Sequence, residues 1–217
     1  MLLDYHPPQT PYLEILYQDE DILVLNKPSG LLTVPGKAPE HFDSLDYRVR
    51  RVWPQARIVH RLDMATSGLV VMAMHIEAQR HLNRQFQQRQ TQKRYLAVLE
   101  GQVISEQGAV ELPLICDWPK RPKQKVCFEH GKQALTYFEL LEKNTDCSRV
   151  LLKPVTGRSH QLRVHMQWLG HPILGDKFYA SEQGYQKADR LLLHAFSLRF
   201  VHPSTANELY FEASCPF

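Results

Sequence analysis

The stretch that decides the fold is His60-Arg61-Leu62-Asp63-Met64-Ala65-Thr66-Ser67-Gly68, and an apolar run to Met74 follows it at once. A continuous apolar run of this length is typical of a strand buried on both faces. We therefore expect the carboxylate of Asp63 to lie at the mouth of a buried strand. Arg61 stands two residues earlier, so in an extended segment it projects from the same side as Asp63. An aspartate in a turn often does no more than accept hydrogen bonds from nearby backbone N–H groups.

A second dense segment covers residues 156–165, Thr-Gly-Arg-Ser-His-Gln-Leu-Arg-Val-His. Gly157 turns the chain into a helix predicted from His160 to Leu169, and Gly170 is a natural residue to follow its end. Arg163 in this helix is a candidate partner for Asp63, because an adjacent cation keeps a carboxylate ionised. The alternative for Arg163 is a surface ion pair worth less than ~1 kcal/mol.

Tyr95 lies near the start of a predicted strand, Lys93–Glu100. Tyrosines in strands usually belong to the core. In a site, however, the ring could stack under a base and the hydroxyl could bond or move a proton. The same caution applies to His60, His160 and His165, which we interpret first as structural hydrogen-bonding residues.

The remaining pattern predicts an α+β fold with a large mixed, mostly antiparallel sheet flanked by helices and loops, because strands outnumber helices without regular alternation. Asp43 is expected to cap a helix that starts at Ser44 and ends before Pro54. A second helix is expected over Glu77–Arg89, with Ala78, Leu82 and Phe86 on one face. The other predicted strands are Ile15–Tyr17, Ile22–Asn26, Gly68–Met74, Val110–Leu114, Thr136–Leu141, Arg149–Lys153 and Leu193–Val201. Residues 1–12 are expected to form an extended arm.

The composition is that of a globular protein, with 43% hydrophobic and 23% charged residues and a net charge of only +3. The cations are clustered, and basic clusters attract phosphates, although any one of them could be a solvated face. The three clusters are Arg48, Arg50, Arg51 and Arg57; Arg84, Arg89, Lys93 and Arg94; and Lys120, Arg121, Lys123 and Lys125. Four cysteines without a C-x-x-C pair suggest free thiols in the cytoplasm. We expect no metal and no membrane span.

Four motifs in one order resemble those of the RluA-type pseudouridine synthases, which isomerise uridines in structural RNA. The motifs are Leu25-Asn26-Lys27-Pro28-Ser29-Gly30-Leu31-Leu32; His60-Arg61-Leu62-Asp63 with Ser67-Gly68; Lys93-Arg94-Tyr95; and Gly157-Arg158-Ser159-His160-Gln161-Leu162-Arg163. Four ordered motifs are far more specific than any one. The resemblance implies a single catalytic domain over residues 13–217 and the fold of that family.

The resemblance also implies roles for individual residues. Asp63 would act at the ribose C1′ of a flipped-out uridine, either by attack or by assisting loss of the uracil. Tyr95 would stack on the base, Arg163 would pair with Asp63, and Arg61 would fill the space that the uridine leaves. No cofactor is implied. We expect further RNA contacts from His60, Lys120, Arg121, Lys123, Lys125 and Arg158.

Within the family, the segments Leu114–Pro119, Arg121–Val126, His171–Asp176 and Phe178–Ala180 resemble members that act on both 23S ribosomal RNA and the tRNA anticodon stem-loop. An N-terminal S4-like module, which several relatives carry, is not expected here. We expect a monomer that binds these structured RNAs.

Three alternatives remain open at this point. The chain could be an RNA-binding or chaperone-like module. It could be a glycosidase that removes the base, although such enzymes generally use a second carboxyl group and admit water. It could also act on tRNA alone or on ribosomal RNA alone.

Overall fold

The computed structural model describes residues 5–217. Within them the chain divides into two compact units. Unit 1 comprises the residues up to 92 together with 195–216, and unit 2 comprises 93–194 together with Phe217. The single catalytic domain over residues 13–217 stays a prediction.

Most of the regular structure is β. The strands are β1 (Ile15–Gln18), β2 (Ile22–Lys27), β3 (Arg57–Ile58), β4 (Ser67–Ala73), β5 (Gln92–Glu100), β6 (Gln107–Glu111), β7 (Leu114–Cys116), β8 (Gln124–Val126), β9 (Leu135–Lys143), β10 (Cys147–Pro154), β11 (Leu193–Val201) and β12 (Glu208–Glu212). The α-helices are α1 (Leu45–Arg50), α2 (Ile76–Gln87), α3 (Gln161–Trp168) and α4 (Glu182–Gln186).

In unit 1 the strands follow the order β1-β2-β4-β11-β12, with β3 beside β4. The pairs β1–β2, β2–β4, β3–β4 and β11–β12 are antiparallel. Every residue of β4 is buried, as expected for a strand with neighbours on both sides. The register places Lys27 at the end of β2 opposite Gly68 at the start of β4.

Helix α2 packs on this sheet through the face that the sequence predicts. Ala78 and Leu82 join the hydrophobic core of unit 1, and Phe86 packs against it. The helix begins after His75, whose side chain accepts a hydrogen bond from the Ala78 N–H. The core that α2 covers includes Val24, Leu69, Val71 and Phe200.

The start of α1 differs from the prediction. Ser44 is the N-cap, and its side chain accepts a hydrogen bond from the Tyr47 N–H. Asp43 instead accepts from both Nε and Nη2 of the buried Arg48, at 2.7 and 2.6 Å. A carboxylate that meets a guanidinium at two points gains more there than at a helix end, so the serine takes the capping position.

Residues 5–12 of the expected arm form neither helix nor strand, and residues 1–4 lie outside the described residues. The hydroxyl of Tyr5 donates to the Asp43 carbonyl at 2.7 Å and accepts from the Leu32 N–H at 3.0 Å. Arg48 donates to the Tyr12 carbonyl at 3.1 Å. These contacts fix the segment against the start of α1.

In unit 2 the strands follow the order β5-β10-β9-β6, and β7 and β8 form a separate antiparallel hairpin. All three pairs of the larger group are antiparallel. In β10 buried residues alternate with half-buried ones along the whole strand, which is the pattern of a strand with one core face. Val110–Leu114, predicted as one strand, is divided between β6 and β7 because Leu112 and Pro113 separate them.

Helix α3 packs against the β7–β8 hairpin. Val164 forms a buried cluster with Leu114, Ala134 and Tyr179. The helix ends at Trp168, and Gly170 takes the left-handed conformation that was predicted for it, with φ +83°.

The predicted fold class, α+β with a large mixed sheet and few helices, is confirmed. The four cysteines are free thiols, as expected. Among residues 5–217, no helix combines the length and the apolar character needed to cross a membrane.

Candidate active site

Asp63 opens a tight turn immediately before β4. The Thr66 N–H donates to the Asp63 carbonyl at 3.1 Å, and the side chain of Asp63 is half-buried. The prediction that this carboxylate lies at the mouth of a buried strand is confirmed, because the chain passes from Asp63 to a fully buried strand within four residues.

The turn is held by a buried ammonium group. Lys27 is 0% exposed. Its Nζ donates to the carbonyls of Pro28, Leu31 and Met64 at 2.8, 2.7 and 3.1 Å. An ammonium carries three N–H donors, so it can serve all three carbonyls at once. Met64 directly follows Asp63, so this cation fixes the backbone that carries the carboxylate.

Four further hydrogen bonds join residues 27–33 to residues 62–65. The Met64 carbonyl also accepts from the Gly30 N–H at 2.9 Å. Ser29 Oγ donates to the Ala65 carbonyl at 2.7 Å. Thr33 Oγ1 donates to the Leu62 carbonyl at 2.8 Å and accepts from its N–H at 3.1 Å. Residues 27–33 therefore form a cradle for residues 62–65, which we call the Asp63 cradle.

Gly68 shows how closely the backbones approach beside the turn. Its φ is +112°, and a Cβ built there would lie 2.3 Å from the Ala195 carbonyl oxygen in β11. A side chain at this position would collide with backbone, so only glycine allows β4 to start where it does.

Of the predicted RNA contacts in unit 1, Arg61 is exposed and His60 is half-buried. His60 Nε2 accepts from the Val71 N–H at 3.0 Å, and its ring stacks on Phe86 with centroids 4.7 Å apart. One ring nitrogen is thus committed to β4. The RNA contact proposed for His60 stays a prediction.

In unit 2 the central cation is Arg163 of α3, which is only 4% exposed. Its Nε and Nη2 donate to the two carboxylate oxygens of Asp176 at 2.7 and 2.6 Å, and Asp176 is 1% exposed. This is a bidentate, buried pair, the strongest geometry that an arginine and a carboxylate can adopt. Sequence reasoning did not assign Asp176.

Two aromatic rings flank this pair. The guanidinium carbon of Arg163 lies 5.2 Å from the ring centre of Phe178 and 5.1 Å from that of Tyr179. Asp176 Oδ1 also accepts from the N–H groups of Phe178 and Tyr179, at 2.9 and 3.3 Å. The carboxylate and the rings together fix the plane of the guanidinium.

The turn before α3 is organised by the buried Gln161. Its Oε1 accepts from the Thr156 hydroxyl at 2.7 Å and from the Arg158 N–H at 3.0 Å. Its Nε2 donates to the Leu135 carbonyl and to Thr136 Oγ1, both at 3.0 Å. The exposed Arg158 is therefore presented on a rigid turn, with its Nε bonded to the backbone.

Tyr95 lies in β5, is half-buried, and faces Leu152 of β10 in the sheet register. The predicted cations Lys120, Arg121 and Lys125 are exposed and Lys123 is half-buried. All four lie in or beside the loop that connects β7 and β8, so the structure brings together what the sequence suggested as one cluster.

His165 is a buried histidine on the same helix as Arg163, and it is 0% exposed. Burial lowers the pKa of His165 to about 4, although a hydrogen bond to the backbone of Leu112 acts in the opposite direction. Its Nδ1 lies 3.0 Å from Thr136 Oγ1. The neutral imidazole is a structural group, in agreement with the interpretation from sequence.

One set of side chains in the described part of the chain has the spacing of metal ligands: Asp19, Asp21 and His202, whose ligand atoms lie within 4.8 Å of one another. Nδ1 of His202 accepts from the N–H groups of Ser204 and Thr205, at 3.3 and 3.1 Å. Its hydrogen therefore stands on Nε2, which donates to Asp19 Oδ2 at 2.9 Å. A ring nitrogen that carries hydrogen is no metal ligand, so the three groups satisfy one another.

Unit 1 thus brings Asp63, Arg61 and His60 into one segment, and unit 2 gathers Arg163 and Arg158 around the start of α3. Sequence reasoning missed two groups that hold them, the ammonium of Lys27 and the carboxylate of Asp176. The burial of Lys27 could have been predicted from the sequence, because this lysine ends an apolar strand and directly precedes the turn residues Pro-Ser-Gly.

Comparison with known proteins identifies the family. A family model described as RNA pseudouridylate synthase matches residues 21–168. The chain is 57% identical over 215 residues to the "Dual-specificity RNA pseudouridine synthase RluA" of Escherichia coli (strain K12), which covers 99% of this chain and 98% of that protein. The protein of the same name from Pasteurella multocida (strain Pm70) is 51% identical over 217 residues, with 100% and 99% covered.

A solved structure agrees over nearly the whole chain. "Human RNA Pseudouridylate Synthase Domain Containing 1" superposes with a TM-score of 0.81 at 31% sequence identity, covering 98% of this chain and 87% of that chain. With the family model, the near full-length relatives and this structure in agreement, the chain belongs to the RNA pseudouridylate synthase family and is an RNA-modifying isomerase.

Proposed function

We propose that this enzyme isomerises uridines in two RNA classes, the tRNA anticodon stem-loop and a stem-loop of 23S ribosomal RNA. The support is the name "dual-specificity" of relatives that are 51–57% identical over nearly their full length. The residues of the segments 114–119, 121–126, 171–176 and 178–180 also resemble those of synthases with both substrates.

Asp63 is the catalytic residue in this proposal. The observation that supports the assignment is the Asp63 cradle. In it the fully buried ammonium of Lys27 and several hydrogen bonds to the backbone hold one short turn. Burying a charged amine is costly. Here the buried ammonium fixes the backbone on both sides of the half-buried carboxylate of Asp63.

The proposed reaction conserves every atom of the nucleotide. The bond between C1′ and N1 of the uridine breaks, and the uracil leaves with the electron pair as an anion. The carboxylate of Asp63 either bonds to C1′ or assists departure of the base, two routes that we leave open. After rotation, C5 bonds to C1′, and on the covalent route the bond between Asp63 and C1′ breaks in this step. The C5 proton then leaves, and N1, which had carried the glycosidic bond, gains a proton.

The other predicted residues receive supporting roles. In this proposal Arg163 pairs with the carboxylate of Asp63 during the reaction. Tyr95 stacks on the detached base, and Arg61 fills the space that the flipped uridine leaves. His60, Arg158, Lys120, Arg121, Lys123 and Lys125 contact the RNA. The reaction needs no cofactor and no metal.

We further propose that the enzyme works as a monomer in the cytoplasm, with residues 13–217 as one catalytic domain. The four cysteines, all free thiols, suit a reducing compartment.

The test of the proposal is a map of pseudouridine in RNA from cells that lack the gene. We expect sites in both tRNA and 23S ribosomal RNA to disappear, and to return with the wild-type gene or with the exposed control variant Asp189→Asn but not with Asp63→Asn. Loss of pseudouridine from one RNA class alone would contradict dual specificity. Normal modification in the deletion strain would contradict the proposal as a whole.

A base-removing glycosidase is the chemical alternative. It would produce free uracil and an abasic nucleotide, whereas isomerisation leaves the mass of the RNA unchanged. Mass spectrometry of a treated stem-loop separates the two, and we expect no change in mass.

A further inference from the structure

The loop between β7 and β8 carries an unusual charge for this protein. Residues 117–125 contain four cations and one carboxylate, for a net charge of +3, which equals the net charge of the whole chain. The rest of the chain is therefore balanced. We call residues 117–123, which connect the two strands, the hairpin tip.

The hairpin tip is closed by its own backbone. Asp117 N–H donates to the Lys123 carbonyl at 2.9 Å, Lys120 N–H to the Asp117 carbonyl at 2.9 Å, and Lys123 N–H to the Lys120 carbonyl at 3.0 Å. Lys125 adds an ion pair to Asp117 at 3.4 Å. These bonds give the exposed loop a defined backbone conformation, so its side chains extend from fixed positions.

Trp118 is the large apolar side chain of this tip, and it is 63% exposed. The guanidinium carbon of Arg121 lies 3.4 Å from the centre of its ring. The guanidinium covers one face of the indole, and the high exposure leaves the other face open. An exposed flat ring among cations is the arrangement by which proteins hold unpaired nucleobases, since every base has a π-face and is flanked by phosphates.

Trp168 offers an internal contrast in the same unit. It is 57% exposed, and its ring meets Phe128 edge-on with centroids 6.3 Å apart. Leu169, the next residue along the chain, is also exposed. Exposure alone does not distinguish the two tryptophans, but the stacked guanidinium and the charge of the tip do.

The hairpin is also tied to the arginine of the candidate active site. The Gln124 N–H donates to the Tyr179 hydroxyl at 2.7 Å, and that oxygen lies 2.7 Å from His160 Nδ1. The ring of Tyr179 packs 5.1 Å from the Arg163 guanidinium carbon. An RNA segment held at the tip would therefore have a fixed position relative to Arg163.

We propose that the hairpin tip is a base-stacking site for the RNA substrate. An unpaired nucleobase lies on the open face of Trp118, opposite Arg121, and Lys120 and Lys123 contact the phosphates on either side of it. The inference rests on the proposed function, because it takes the stem-loop RNA as the ligand.

The first experiment uses Trp118 as its own reporter. In the double variant Trp53→Phe/Trp168→Phe, Trp118 is the remaining tryptophan of the three in the chain. Titration with an anticodon stem-loop should quench its fluorescence by stacking. Stem-loops with an abasic residue at each loop position in turn should quench equally except at one position, where quenching is lost. If every abasic stem-loop quenches the fluorescence equally, the tip contacts the RNA through charge alone, and the stacking proposal is overturned.

The second experiment measures affinity and rate in variants of the otherwise native protein. Trp118→Ala should weaken RNA binding about tenfold, the loss typical of one stacked base, with a much smaller fall in the single-turnover rate at saturating RNA. Trp118→Phe should retain most of the affinity, because it keeps a flat ring. The matched control Trp168→Ala should bind like the wild type.

The outcomes separate the two proposals. If the wild type forms pseudouridine but Trp118→Ala binds RNA normally, or Trp168→Ala loses as much, the stacking site is wrong and the proposed function stands. If the wild type forms no pseudouridine in either RNA, the proposed function fails whatever Trp118 does.

Discussion

Each unit of this enzyme has a buried cation in its part of the candidate site, Lys27 in unit 1 and Arg163 in unit 2, and the two are used differently. In unit 1 the ammonium of Lys27 donates to three backbone carbonyls. In unit 2 the guanidinium of Arg163 donates in parallel to both oxygens of Asp176. Lysine is a point charge that can serve several acceptors around it, whereas arginine is a planar fork that fixes an orientation. The first arrangement holds a loop in place, and the second aims a side chain.

The largest effect is expected for Lys27→Met. The side chain keeps about the same length, but three backbone carbonyls lose their common donor, and we expect a loss of about 3 kcal/mol in the free energy of unfolding. Urea unfolding measures it. Ser29→Ala, which removes one hydrogen bond to the same turn, should cost about 1 kcal/mol. Equal losses for both variants would show that the ammonium does not organise the turn.

A smaller effect comes from the neutral His165, which lies on the helix of Arg163. Its pKa is about 4 in the folded chain, compared with 6.5 for a free histidine side chain. Below pH 6.5 the unfolded chain takes up a proton that the folded chain refuses, so stability falls as the pH drops toward 4. The expected loss at pH 5 is about 2 kcal/mol relative to pH 8.

The measurement is urea unfolding at about pH 8, 6 and 5, which spans this titration. In His165→Gln the part of the acid dependence that this imidazole causes should disappear. An unchanged pH profile in that variant would contradict a neutral, buried His165.

Arg163→Lys tests the second arrangement. The charge remains, but the two-point contact with Asp176 is lost, so we expect a loss of only about 1 kcal/mol in stability. Turnover should fall about 10- to 100-fold with little change in RNA affinity. Arg199→Lys, at a surface pair with Glu208, is the control and should change neither. Parallel losses of turnover and RNA affinity would mean that Arg163 mainly contacts phosphate.

Much of the fold could be predicted from local patterns in the sequence. Strand β11 has the predicted ends, β4 is displaced by one residue, and Gly170 follows α3 in the expected conformation. Strand β4 carries a continuous apolar run, and Gly170 has a single steric role at the end of a helix. The short β3 and the five-residue β12 were not predicted, because two residues give no period and the apolar Leu209, Tyr210 and Phe211 of β12 do not alternate with polar residues.

The sequence predicted the candidate site residues but not the residues that hold them in place. Asp63 and Arg163 stand in dense motifs. The continuous apolar run after Asp63 placed it at a strand mouth, and the glycines at 157 and 170 placed Arg163 on a helix. Their supports did not follow, since Lys27 reaches Met64 across 37 residues and Asp176 reaches Arg163 across 13. Such contacts depend on the sheet register and on loop paths, which residue patterns do not encode.

The most direct test of the central claim is tritium release from RNA labelled at uridine C5, under single-turnover conditions with RNA saturating. For Asp63→Asn we predict RNA affinity within about threefold of the wild type and no release above background, because the amide cannot act at C1′ as the carboxylate does. Release at a measurable fraction of the wild-type rate would contradict the account.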